Sequence, residues 1–367
     1  MTNSEVKDRI RGCLIGGAIG DALGYAVEFV GYQDIVAKYG ENGITKFDLF
    51  PYWKEGSGKA EISDDTQMTL FTAEGLLNGM KQSGFPDWAV KDAYIDWYYT
   101  QYPSQKEGLA FTSLRDNPRL CHRRAPGGTC LDACRAIIDG MEVVNDSKGC
   151  GGIMRVAPIA LLSAALQTND GRGYADYEVA IMADNIAGLT HKHPLGHLPA
   201  ALLAVLLDRI LWIDSQSVLQ NFGRLVVDSL DLIKTLFSST GEADMFLLRH
   251  LVIESLNLAD SSIPTPECLN RLGQGWVAEE TLAVALFCAK RYINDPEQAI
   301  IASVNHDGDS DSTGSVCGNI MGAIYGYEYL NANNVCCPDG HDLEDTLELS
   351  DIILDTADRL AASKRKS

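Results

Sequence analysis

Two acidic clusters, far apart in the sequence, contain the side chains best suited to metal chemistry. One is Ser63-Asp-Asp-Thr66, and the other runs from Asp307 to Thr313 as Asp-Gly-Asp-Ser-Asp-Ser-Thr. Their six candidate oxygen donors are Ser63, Asp64, Asp65, Asp309, Asp311 and Ser312. Hard oxygen donors select magnesium, manganese or calcium rather than zinc. If the clusters converge, they would form a binuclear site with positions left open for water and substrate.

Helix capping and calcium binding are the alternatives for these clusters. Ser, Asp and Thr are favoured at helix N-caps, but a cap requires one oxygen and each cluster offers several. An EF-hand loop requires Gly at its sixth position and Glu at its twelfth, where this chain has Ser312 and Gly318. The surplus of carboxylates therefore favours metal binding of another kind.

A glycine-rich turn could supply the complementary anion site. Gly149-Cys-Gly-Gly152 precedes an apolar segment, and backbone amides at such a turn could hold a diphosphate. Glycine turns before helices are also common without a ligand. His191 ends one helical stretch and could be a structural partner there, and Asp21 and Glu28 could be helix-surface or capping carboxylates.

Helical periodicity dominates the elements that must position these residues. Apolar residues recur three and four positions apart in seven stretches, at 66–80, 131–144, 178–190, 198–213, 225–237, 278–291 and 315–330. No convincing alternating pattern of a strand is present. The sequence predicts an all-α protein, with one compact domain preferred to two because no flexible linker or repeat interrupts it.

Glycines repeat every fourth residue near both ends of the chain. They are Gly12, Gly16, Gly20 and Gly24 in the first set, and Gly314, Gly318, Gly322 and Gly326 in the second. Each interior helical glycine costs about 1 kcal/mol relative to alanine, so close packing must compensate. We expect two central helices that lie against each other and bring the chemistry of both termini together.

The charge and cysteine content narrow the class of protein. The 367 residues carry 30 Lys plus Arg and 50 Asp plus Glu, a net charge of −20, which would repel nucleic acid and anionic membranes. The ten cysteines are scattered without a CxxC pair, which is typical of reduced thiols in a cytoplasmic protein. We therefore expect no nucleic acid or membrane partner.

The sequence resembles the ADP-ribosylglycohydrolase family in five motifs. They are Gly20-Asp-Ala-Leu-Gly24 with Glu28, Ser63-Asp-Asp-Thr-Gln-Met68, Gly149-Cys-Gly-Gly-Ile-Met-Arg155, Thr190-His191 and Gly308-Asp-Ser-Asp-Ser-Thr-Gly314. They follow the family's order and span nearly the whole chain. The resemblance implies one all-α orthogonal helical bundle over residues 1–367, with two Mg²⁺ or Mn²⁺ ions that serve the removal of ADP-ribose.

Carried over residue by residue, the resemblance implies three groups of site residues. The implied metal ligands are Ser63, Asp64, Asp65, Asp309, Asp311 and Ser312. The implied ADP-ribose contacts are Asp146, Ser147, Lys148, Gly149, Cys150, Gly151, Gly152 and His191. The implied catalytic residues are Glu28, Asp64 and Asp309.

The form of the last motif implies the substrate. It is similar to that of arginine-specific members of the dinitrogenase reductase-activating type, which implies hydrolysis of ADP-ribosylarginine. The family often has Thr at positions 63 and 312, but Ser63 and Ser312 retain the hydroxyl. Similarity to bacterial members implies ADP-ribosylated proteins as partners, and suggests immunity against a cognate ADP-ribosylating toxin. The alternatives are another ADP-ribosyl linkage, to serine, a nucleotide base or a small metabolite, and an inactive binding protein with this fold.

Overall fold

Helices form the regular structure of the chain. The computed structural model describes residues 2–50, 58–81, 85–171 and 173–364. Within these ranges there are seventeen α-helices and, in place of strands, two isolated β-bridges, which confirms the all-α prediction. In chain order the helices are α1 (Asn3–Tyr25), α2 (Tyr32–Tyr39), α3 (Asp64–Gly79), α4 (Trp88–Gln101), α5 (Gly128–Ile138), α6 (Ala157–Asp170), α7 (Asp176–Gly188), α8 (Pro194–Trp212), α9 (Ser215–Leu236), α10 (Glu242–Ala259), α11 (Thr265–Leu272), α12 (Ala278–Arg291), α13 (Pro296–Val304), α14 (Ser310–Tyr325), α15 (Tyr327–Ala332), α16 (Leu343–Thr346) and α17 (Ser350–Ala361). Short 3₁₀ turns occur at Pro103–Gln105, Ser113–Asp116, Pro118–Leu120 and Cys150–Gly152.

The glycine-rich helices α1 and α14 pack against each other in the centre of the molecule, as the glycine pattern predicted. A Cβ atom added at Gly20 would lie 1.9 Å from the carbonyl oxygen of Gly314, and one added at Gly318 would lie 1.9 Å from that of Gly16. Contacts this short leave no room for any side chain. The two backbones therefore approach closely along their length, and they run antiparallel.

One glycine of the second set has a different role. Gly326 has φ 82° and is the C-cap of α14, so it ends the helix instead of lying inside it. The periodic stretch 315–330 is thus divided between α14 and α15 at this residue. Left-handed backbone is strained for residues with a Cβ, which explains a glycine at the break.

Apolar helices fill the space around the central pair. Every α6 residue from Ala157 to Leu166 is buried, as are most residues of α8. Two segments, Cys150–Asp170 and Pro194–Trp212, are long and apolar enough to cross a membrane, but 83% of each apolar window is buried inside the fold. Their apolar surfaces are used in packing against the rest of the protein.

All ten cysteines lie within the described residues and are free thiols. Eight are buried, and Cys121 and Cys150 are partly exposed.

Candidate metal centre and active site

A cleft of about 340 Å³ opens where the loop after α1 and the N-termini of α3, α5 and α14 meet. Its described lining includes residues of both acidic clusters, the glycine turn and the start of α5. The polar side chains in this lining are Glu28, Asp64, Asp65, Thr129, Cys150, His191, Asp309, Asp311 and Ser312. The two clusters, more than half the chain apart in sequence, are thus brought together as the metal hypothesis requires.

The first cluster is fixed at the start of α3 by a buried carboxylate of α1. Ser63 is the N-cap, and its hydroxyl accepts a hydrogen bond from the Asp65 backbone N–H at 3.1 Å. The Asp21 carboxylate accepts from the backbone N–H groups of Ser63 and Thr66 at 2.9 and 3.1 Å. Asp21 is fully buried, so the helix-surface alternative for this residue is wrong. It holds the cluster in place instead.

The second cluster begins α14. Asp309 is the N-cap, and its Oδ1 accepts from the backbone N–H of Ser312 at 3.2 Å. Its Oδ2 accepts from the thiol of Cys150 at 2.8 Å, which joins the cluster to the glycine turn. Helix capping therefore accounts for Asp309 and Ser63, while Asp64, Asp65 and Asp311 remain surplus to it.

Burial and mutual repulsion disfavour the charged forms of these carboxylates. Burial raises the pKa of Asp64, Asp65 and Asp309 well above the usual range, and the charge of Asp311 raises each of them further. Burial raises the pKa of Glu28 to about 11, with Asp311 as the next contributor. No basic side chain compensates the negative charge of these acids, because no lysine or arginine is among the described residues that line the cleft.

The donor set fits hard divalent cations. Glu28 Oε2, Asp65 Oδ2 and Asp311 Oδ1 are buried and have no hydrogen-bond partner among the described residues. Across the same described ranges, however, no three His, Cys, Asp or Glu side chains already form a set that could hold a metal ion. Cations would have to draw these flexible carboxylates inward, and water or substrate would complete the coordination.

The anion side of the cleft differs from the prediction. Cys150–Gly152 is a 3₁₀ turn, and α6 begins only at Ala157, so the turn does not open that helix. The Cys150 N–H is not free, since it donates to the Trp276 carbonyl at 3.2 Å. The N-terminus of α5 faces the same cleft through Gly128 and Thr129. Its N-cap, Gly127, has no side chain to cap the helix, and the Gly127 N–H donates to Asp64 Oδ2 at 3.3 Å. The N–H groups of the first helical turn favour an anion, and the Gly127-Gly128 pair is the sequence signal for this site.

His191 lines the cleft as a neutral imidazole held from behind. Its Nδ1 is 2.8 Å from the Thr190 hydroxyl, to which the buried Arg155 guanidinium donates at 2.5 Å. Burial, reinforced by the charge of Arg155, lowers the pKa of His191 to about 3. In the tautomer in which the Thr190 hydroxyl donates to Nδ1, the Nε2–H would be left to donate to a ligand.

Several predicted ADP-ribose contacts lie at or behind the cleft wall. Gly149 and Gly151 line the cleft with Cys150, and the Ser147 hydroxyl is 3.1 Å from that of Thr129. Ser147 and three other predicted residues, Asp146, Lys148 and Gly152, are outside the described lining. Asp146 is exposed, Gly152 packs on the carbonyl of Gly196, and the Lys148 ammonium pairs with Glu279 at 2.5 Å.

Comparison with known proteins identifies the chain. A family model described as ADP-ribosylglycohydrolase matches residues 2–366. The chain belongs to the ADP-ribosylglycohydrolase family. Similar relatives include the Uncharacterized protein YegU of Escherichia coli, 27% identical over 88% of this chain and 90% of its own length. ADP-ribosylhydrolase ARH3 of Bos taurus is 24% identical over 93% and 92%.

A solved structure shares the fold of this family member. The chain titled "ADP-ribosylglycohydrolase-related protein complex" superposes with a TM-score of 0.61 and 22% identity, over 98% of each chain. At that identity the likeness concerns the fold, and it agrees with the helical bundle expected from the sequence.

Proposed function

We propose that this ADP-ribosylglycohydrolase is a metal-dependent enzyme that releases ADP-ribose from ADP-ribosylated arginine side chains of proteins. The observation that carries the proposal is the convergence of two acidic clusters, with unpartnered buried oxygens, on one cleft. The family model supports glycohydrolase activity, and the form of the second cluster supports the arginine linkage.

Two divalent cations, Mg²⁺ or Mn²⁺, would be held by the oxygen donors of the clusters. The proposed ligands are Ser63, Asp64, Asp65, Asp309, Asp311 and Ser312. When bound, such cations would supply Lewis-acid polarisation and a source of nucleophilic water near neutral pH. They would also compensate the mutual repulsion that raises the pKa of these acids.

The protein groups would bind and orient the substrate. His191 Nε2–H and the N-terminus of α5 would donate hydrogen bonds to the diphosphate, which places the distal ribose toward the carboxylates. Glu28 would accept a proton from the attacking water or stabilise the positive charge that develops on the ribose. Overall, water adds to the anomeric carbon as the bond to the guanidine nitrogen breaks, and the leaving guanidine takes up a proton.

The proposal is tested with Asp64→Ala and Asp309→Ala on arginine- and serine-linked ADP-ribosyl proteins, with Mg²⁺ and with EDTA. Loss of an outer partner of a metal ligand already costs about 10–100-fold, so removal of a ligand should reduce release by more than about 100-fold. Asp231→Ala, at an exposed position on α9, is the matched control and should retain full activity. Near-wild-type release by either cleft variant would contradict the metal-centred account, and release from serine alone would contradict the arginine linkage.

We propose cytoplasmic proteins that carry ADP-ribosylated arginine as the partners. In an immunity role, the modification would come from a cognate ADP-ribosyltransferase toxin. The net charge of −20 would attract basic, arginine-rich surfaces. Co-expression of this protein with an ADP-ribosyltransferase toxin should then restore growth of the host cells only if the cleft is intact. Equal protection by Asp64→Ala would instead indicate direct capture of the toxin.

A further inference from the structure

An exposed aromatic pair lies at the mouth of the cleft and has no role in the proposed reaction. The rings of Phe29 and Trp276 are stacked, with centroids 5.6 Å apart and planes 18° from parallel. Phe29 is 69% exposed and Trp276 is 38% exposed, although both line the cleft. The exposed faces of these two rings are not buried in the free protein. Apolar surface exposed at a cleft is a reason to look for a ligand that covers it.

The backbone holds both rings in place. Phe29 has φ 65°, a left-handed conformation that costs a residue with a side chain about 1 kcal/mol. The segment of Trp276 is tied to the glycine turn, because its carbonyl accepts from the Cys150 N–H and the Ala278 N–H donates to the Lys148 carbonyl at 2.9 Å. A strained residue kept at a cleft mouth points to function.

The pair lies at the carboxylate end of the cleft. Phe29 directly follows Glu28, which lines the cleft together with Asp309 and Asp311. On the other side, a Cβ atom added at Gly275 would lie 3.4 Å from the Asp309 carbonyl oxygen. His191 packs against Gly149 and Gly151 of the glycine turn. The group that leaves the ribose would therefore emerge past the aromatic pair.

The chemistry around the pair suits a planar cation. Its ring faces attract cations, and the nearby Glu28 Oε2 has no hydrogen-bond partner among the described residues. The neighbouring Arg124 does not compete, since its guanidinium pairs with Glu348 at 2.7 Å and with Glu61 at 3.3 Å. We infer that Phe29 and Trp276 form a leaving-group subsite that binds the guanidinium of the modified arginine and sets the preference for that linkage. This inference rests on the proposed function.

The experiment compares Phe29→Ala and Trp276→Ala with wild type on arginine- and serine-linked ADP-ribosyl proteins, and measures ADP-ribose affinity by calorimetry. Loss of a cation–π contact should lower kcat/KM for the arginine linkage about tenfold. Values for the serine linkage and for ADP-ribose affinity should stay unchanged, and Trp276→Phe should retain most of the arginine activity. Phe246→Ala, which removes another exposed stacked ring, should have no effect.

Two results would overturn the inference in distinguishable ways. Equal losses on both linkages, or weaker ADP-ribose binding, would mean that the pair holds the adenine or only supports its loop. Release of ADP-ribose from neither substrate by the wild-type protein would instead overturn the proposed function itself. Thermal melting of each variant distinguishes both results from misfolding. Phe29→Ala removes no contact in the core, so this variant should keep the wild-type melting temperature.

Discussion

Single buried carboxylates outside the cleft also affect how the protein responds to pH. Asp208 lies within α8, is 3% exposed, and has an Oδ1 atom without a hydrogen-bond partner in the described part of the chain. Burial raises its pKa from 3.8 to about 7. The charged form is therefore less favourable in the folded than in the unfolded protein, so this group destabilises the fold once the unfolded chain ionises.

Asp208→Asn should stabilise the protein in a pH-dependent way. Below pH 3.8 Asp208 is protonated in both the folded and the unfolded protein. The free energy of unfolding falls as the pH rises from about 4 to 7 and stays lower above pH 7. The variant should gain on the order of 3 kcal/mol in unfolding free energy at pH 8 and little at pH 4. Urea titrations at both pH values measure this, with the exposed Asp231→Asn as control. An equal gain at both pH values would indicate a packing effect instead.

Residue types and spacing were enough to predict the members of the two acidic clusters, because oxygen donors in such numbers exceed what capping requires. The supporting residues were less visible. Asp21 positions α3 through Ser63, 42 residues away, and Arg155 orients His191 through Thr190. Their roles depend on contacts made only in the folded chain, and neither residue type signals such a role on its own.

At the scale of elements, the central helix pair leaves no freedom at its interface. Gly318→Ala places a Cβ 1.9 Å from the Gly16 carbonyl oxygen, a backbone atom that cannot move aside. The substitution should lower the unfolding free energy by about 3 kcal/mol or more, or prevent folding. Gly188→Ala, at a helical glycine of α7 with nothing within 4 Å, should be neutral or slightly stabilising. Unchanged urea stability of Gly318→Ala would contradict the packing described here.

Periodicity located some helices closely and missed others. The stretch 278–291 coincides with α12, and 66–80 is close to α3, whereas 131–144 extends beyond the end of α5 at Ile138. The pattern does not predict α4 or α6. Burial alone does not separate these cases, since α3 is buried on most sides, as α4 and α6 are.

At the scale of the whole molecule, the net charge of −20 and the repelling acids of the cleft should make stability depend on divalent cations. Millimolar Mg²⁺ should raise the melting temperature. At a Mg²⁺ concentration 100 times the dissociation constant, binding at one site would add about 2.7 kcal/mol to the unfolding free energy. NaCl at equal ionic strength controls for screening of surface charge.

Substitution of the cleft acids should separate specific from general effects of the cation. Asp65→Asn with Asp311→Asn should abolish the Mg²⁺-dependent shift and raise the melting temperature in EDTA, because two buried, repelling charges are removed. Asp231→Asn should keep the shift. A Mg²⁺ shift equal to that of NaCl, or one preserved in the double variant, would rule out cation binding at these residues.

The close pairing of α1 with α14 also determines when the protein can acquire its cleft during synthesis. The Asn319 side-chain amide donates to the Cys13 carbonyl, 306 residues earlier in the chain. The first helix therefore leaves the ribosome long before α14 exists, and its glycine face stays uncovered until α14 has been translated. Such distant pairing slows folding and exposes intermediates to aggregation. A nascent chain that stops short of α14 would lack both the helix that pairs with α1 and half of the candidate metal ligands, so activity should arise only after α14 has been translated.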